Sequence, residues 1–150
     1  MRALRKLTDS AELTLTDVDQ PAPGPGAVRI AVHGCGLCGT DLHILDGGYP
    51  ARPPVTLGHE VAGVVAELGA DVDASWLGAP VATESFFSTC GRCDRCREGR
   101  VNLCLQRISI GSGTDGGFAE SVIVPAINLH RLPVGIAPTV GAMMEPLACV

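Results

Sequence analysis

Apolar and polar residues alternate along much of the chain with the two-residue period of β-strands. Residues 11–20 (AELTLTDVDQ) and 27–33 (AVRIAVH) alternate in this way, and the PAPGPG between them is a run of turn formers. Three β-branched segments follow at short spacing, 59–68 (HEVAGVVAEL), 79–83 (APVAT) and 118–126 (FAESVIVPA), with Gly and Pro between them. Such a series predicts a mainly β fold, a barrel or sandwich. Only TDLHILDG after Cys38 and APTVGAMMEPLACV at the end read as helix, the second with Pro just inside its start. No internal repeat is present.

Composition narrows the function classes. The 150 residues are 46% hydrophobic and 18% charged, enough for one globular core. A net charge of −5 leaves no basic footprint for nucleic acid. No run reaches the roughly 18 apolar residues of a membrane span, so small molecules and protein chains are the expected partners. Seven cysteines, an odd number, point to thiolate chemistry in a reducing compartment, and the cytoplasm is the expected location.

Four of those cysteines, Cys90, Cys93, Cys96 and Cys104, fall within CGRCDRCREGRVNLC. Four thiolates so close in sequence can close a tetrahedral shell at about 2.3 Å around one zinc ion. Two disulfides or an iron–sulfur cluster are the alternatives. The intervening Arg92, Asp94, Arg95, Arg97, Glu98 and Arg100 keep this lobe at the surface, where metal rather than apolar burial must fold it. A shell filled by four protein ligands has no vacancy for substrate, so this zinc is structural. Chemistry requires a second, open site. Cys38 in CGLCGTDLHI, His59 in LGHEVAG and a carboxylate would supply three ligands of mixed type.

Five motifs in order make the chain resemble the N-terminal GroES-like catalytic domain of the zinc-dependent medium-chain alcohol dehydrogenases, in the branch holding sorbitol, threonine and butanediol dehydrogenases. They are CGLCGTDLH (35–43), GHEVAGVVAELG (58–69), the four-cysteine lobe (90–104), DGGFAESVIVPAINLHRLP (115–133) and MEPLACV (144–150). The resemblance implies a GroES-like β-barrel and two zinc ions per chain. Cys38 and His59 would be ligands of the catalytic zinc. Glu60 would be a third ligand or a nearby carboxylate, and Glu145 a ligand or a partner of the zinc-bound water. Thr40 would take the substrate's hydroxyl proton and His43 pass it toward solvent. Cys35 and Cys149 match no ligand position, although Cys149 lies one helical turn after Glu145 and remains a minor ligand candidate.

The reaction implied is oxidation of a secondary alcohol (polyol, diol or threonine-like) by hydride transfer to NAD or NADP. Members of the family continue into a Rossmann domain, so the 150 residues are expected to be the N-terminal part of a longer enzyme, a dimer or tetramer when complete and inactive as a piece. GSGTDG (111–116) fits the G-x-G-x-x-G pattern, but it follows no complete βα unit and precedes a strand, so it is not read as a dinucleotide site. Phe86 and Phe87 either line the pocket or pack on the barrel. LGAPV (77–81) stands where the family usually has VGDRV. Two rival readings remain: a zinc-stabilised protein-binding module, which would need only the lobe, and a zinc-free quinone reductase, which would need neither cysteine motif.

Overall fold

A computed structural model describes residues 1–150. The strands are β1 (Arg2–Lys6), β2 (Thr14–Asp17), β3 (Ala27–Gly36), β4 (Val55–Thr56), β5 (Glu60–Leu68), β6 (Pro80–Thr83), β7 (Phe86–Ser88), β8 (Ile108–Ser109), β9 (Ser121–Pro125) and β10 (Leu129–Arg131). Four short helices interrupt them: α1 (Gly39–Leu45), α2 (Asp94–Arg97), α3 (Pro138–Gly141) and α4 (Met144–Ala148). No helix is long and apolar enough to cross a membrane.

All paired strands are antiparallel. The main sheet runs β10-β6-β5-β3-β9, a second runs β2-β1-β4, and β7 pairs with β8. Chain 116–118 ties the sheets together: Gly117 and Phe118 donate to Gly58 and Leu57 carbonyls, and Leu4 donates to Phe118. This mainly β enclosure is the fold expected from the strand spacing.

The alternation in β3 places Val28 and Ile30 in the core while Arg29 faces Glu67 at 2.9 Å on the other side. Val61, Val65, Ala79, Val81, Ile110, Val122, Val124 and Leu129 complete the same cluster. Strand β5 is apolar on both faces, because its second face is covered as well. There Ala62, Ala82, Leu132 and Ala142 form a small-residue cluster. A Cβ on Gly141 would lie 3.0 Å from the Ala62 Cβ, so the glycine is what allows α3 to settle onto the sheet. The C-terminal segment, read from sequence as one helix, is therefore two. Its break at Ala142–Met143 follows the sheet surface and carries Glu145 toward the site.

Candidate metal centres

Register builds the first centre. Strands β3 and β5 pair Cys35 with Val61 and Gly36 with Glu60. The chain leaving β3 therefore lies beside the chain entering β5, and Cys38 at the start of α1 meets His59. The donor atoms of Cys38, His59 and Glu60 all lie within 4.8 Å of one another. Tetrahedral zinc with bonds of about 2.0 to 2.3 Å needs ligand atoms roughly 3.3 to 3.8 Å apart. Small side-chain rotations close that difference, and the sulfur, nitrogen and oxygen donors are the mixed set of an open zinc site.

Asp41, which the motif reading passed over, holds this arrangement in place. Its carboxylate is 1% exposed. Oδ2 accepts from the Cys38 N–H at 2.9 Å, completing half of a capping box, and Oδ1 accepts from the Gly58 N–H at 3.2 Å. Oδ1 also faces His59 Nδ1 at 3.8 Å. One buried carboxylate thus ties both ligand-bearing segments together and sets a negative charge beside the imidazole. The signal was present in sequence, since an acid three residues after a helix cap is a capping pattern.

Two glycines shape the same site. Gly58 has φ +89°, and a Cβ there would fall 2.6 Å from Phe118 and 2.7 Å from Cys35 Sγ. Gly36 lies under the Glu60 carboxylate, where a Cβ would come within 1.9 Å of Oε2. Because that oxygen ends a flexible side chain, Gly36→Ala is expected to swing Glu60 aside and leave the fold standing. Affinity for the first zinc should fall about tenfold by competition with a chelating dye. Unchanged affinity would remove Glu60 from the ligand set.

The GSGTDG turn has a different task from nucleotide binding. No helix follows it, and a Cβ on Gly116 would meet the Gly58 carbonyl at 2.1 Å. Its small residues let it pack under the His59 loop.

The other expected residues are distributed around a cavity of about 240 Å³ lined by Thr40, Ile44, Tyr49, His59, Glu145 and Cys149, among others. Glu145 is not in the trio of close donors, but it shares this cavity. Thr40 Oγ1 accepts from Cys38 Sγ at 3.6 Å. His43 lies outside the cavity, 67% exposed and 3.5 Å from Asp46. The Glu145 charge, then burial and the Cys38 and Glu60 charges, pushes the Cys149 thiol up. Burial, with the Asp41 charge, pushes Cys35 up to about 12, so it is a packed thiol. Of the two phenylalanines, Phe86 lines a neighbouring cavity with Glu145, and Phe87 packs against the main core.

The second centre is local. Cys104 Sγ lies 3.5 Å from Cys90, Cys93 is 3.6 Å from Cys96, and Cys90 is 3.9 Å from Cys96. Four sulfurs at about 2.3 Å around one ion require edges of roughly 3.8 Å. Disulfide bonds, about 2.05 Å long, are absent, and all seven cysteines are free. The Arg92 and Cys93 N–H groups point at Cys90 and pull its thiol down, whereas burial and sulfur neighbours push Cys96 up. A cation displaces the protons such a set retains.

The β enclosure thus carries two candidate metal centres, a Cys–His–Glu trio beside a cavity and a four-sulfur lobe. Residues 24–134 match the alcohol dehydrogenase GroES-like domain family. The chain is 41% identical over 150 residues to sorbitol dehydrogenase of Halalkalibacterium halodurans, covering 99% of this chain and 44% of that protein. It is 40% identical over 151 residues to L-threonine 3-dehydrogenase of Pyrococcus horikoshii, covering 98% and 43%. A Sinorhizobium meliloti 1021 protein described as a zinc-binding dehydrogenase, crystallised with NADP, superposes with a TM-score of 0.92 at 43% identity, covering 99% and 43%. The chain belongs to the zinc-dependent medium-chain alcohol dehydrogenase family, as its GroES-like catalytic domain, and spans less than half the length of these relatives.

Proposed function

We propose that these residues supply the metal site and proton path for NAD(P)-dependent oxidation of a secondary alcohol of polyol, diol or threonine type. The convergence of Cys38, His59 and Glu60 beside a cavity carries this reading. Zinc bound there would draw electron density from the alcohol oxygen and ease loss of its proton. Cys38, His59 and Glu60 would hold the metal, and Asp41 places its charge beside the imidazole. Thr40, on the cavity wall, receives the substrate's hydroxyl proton as it releases its own toward exposed His43 on the same helix, which passes a proton to water. Glu145, on the cavity wall, would be a further ligand or a partner of water at the metal position. A nicotinamide would supply the hydride acceptor, and a nucleotide-binding domain would hold it, since the 111–116 turn is occupied in packing. Without that domain the 150 residues are inactive.

Metal counting tests the reading. The unaltered protein is expected to hold two zinc ions per chain, and His59→Ala one, with its circular dichroism unchanged. A single zinc in the unaltered protein would instead favour a zinc-stabilised binding module.

A further inference from the structure

Among the other cations of this acidic chain, Lys6 donates to the Ser10 carbonyl and Arg92 lies exposed in the four-cysteine lobe without a carboxylate partner. Arg2, Arg5, Arg29, Arg95, Arg97 and Arg100 each face a carboxylate, and Arg131 stacks on Trp76 at 4.3 Å. Arg52 and Arg107 are different. Neither pairs with a carboxylate, and both line one cleft of about 290 Å³ with Tyr49, Ser109 and Ser112. No carboxylate lines that cleft.

The cleft adjoins the first metal centre. Tyr49, Arg107, Ser109 and Ser112 also line the cavity that contains His59 and Thr40. Arg107 shares that cavity with Glu145 without pairing to it, so it is not there to neutralise the acid. Both arginine-bearing segments are anchored: the Arg52 N–H donates to the Ser112 carbonyl at 2.9 Å, and Arg107 Nη1 donates to the Asn102 carbonyl at 2.9 Å. One anchored guanidinium, that of Arg107, and a second on the anchored Arg52 backbone share this cleft with three hydroxyls, a recess rich in donors.

We propose that the cleft is an anion subsite and that the substrate alcohol carries a phosphate monoester. Its hydroxyl end reaches the metal centre and its phosphate rests on Arg52 and Arg107. This rests on the dehydrogenase reading and deepens it. A phosphate is favoured over a carboxylate because its additional oxygen and second charge use more of the available donors. Guanidinium groups take such oxygens in paired hydrogen bonds, and tyrosine and serine hydroxyls satisfy the remainder.

The test uses calorimetric titration of the zinc-loaded protein with three probes built on the same six-carbon chain: sorbitol, gluconate and sorbitol 6-phosphate. Sorbitol 6-phosphate is expected to bind at least tenfold more tightly than either of the others, with the advantage shrinking as salt rises. Arg107→Gln and Arg52→Gln should each reduce that advantage about tenfold while zinc stays at two per chain. Arg52→Gln serves as the second variant because Arg107 also contacts the four-cysteine lobe. Equal binding of the three probes, equal binding of gluconate and the phosphate, or variants without effect would overturn the subsite. If two zinc ions remain in those cases, the dehydrogenase reading survives; loss of the first zinc from the unaltered protein would overturn that reading instead.

Discussion

Asp41→Ala is expected to destabilise the fold by about 3 kcal/mol and to abolish tight zinc binding at the Cys38–His59–Glu60 centre. Removing the carboxylate leaves the Cys38 and Gly58 N–H groups without their acceptor, and each unsatisfied buried donor costs about 1 to 3 kcal/mol. Gly58 also holds φ +89° in a crowded position, so its loop has little alternative to the arrangement Asp41 stabilises. Asp41→Asn separates the two effects. It retains one acceptor oxygen and the volume, and should lose about half as much stability. The imidazole orientation loses its charged partner, and zinc affinity should fall about 10- to 100-fold. Urea denaturation and zinc titration read the two quantities separately. Wild-type affinity in Asp41→Asn would mean that His59 is oriented without Asp41.

Removing metal from the four-cysteine lobe should have a larger but more local effect. Between Cys90 and Arg107 the only buried residue is Cys104. The Arg95–Glu98, Arg97–Asp94 and Arg100–Glu98 pairs are exposed, where ion pairs contribute about 0 to 1 kcal/mol. Nothing apolar can hold the lobe once the sulfurs are released. Structural zinc supplies on the order of 10 kcal/mol to comparable small sites. Cys104→Ser, or chelation, is therefore expected to raise amide exchange across 90–104 by at least about a thousandfold. The amides of Val28, Val61 and Val124, inside the main core, should keep their protection. A lobe that remains protected after metal removal would show that packing alone folds it.

These two centres also mark how much the order of residues makes legible. Strand β3 was visible through its alternation, and β5, β6 and β9 as β-branched segments set between Gly and Pro. Strand β1, RALRK, was invisible. It is short and charged, and only pairing with β2 and β4 makes it a strand. The C-terminal helix read as continuous because local periodicity carries no information about the sheet beneath it. The small side chains at Ala62, Ala82, Gly141 and Ala142 determine where it breaks. Asp41 was passed over for a similar reason. An acid in the first turn of a helix has an ordinary capping role, and its second partner, Gly58, lies in another segment.

The amino-acid order by itself determined the sulfur lobe, the mainly β class and the family, since these depend on neighbouring residues whose spacing alone constrains geometry. Tertiary structure decided the rest. The antiparallel register of β3 against β5 sets Cys38 beside His59 and brings Glu60 over Gly36, while sheet packing carries Glu145 to the cavity. It also leaves Arg52 and Arg107 in one cleft without counter-charges. Contacts between distant segments depend on how whole strands and helices settle against each other, and no local pattern in the chain encodes those distances.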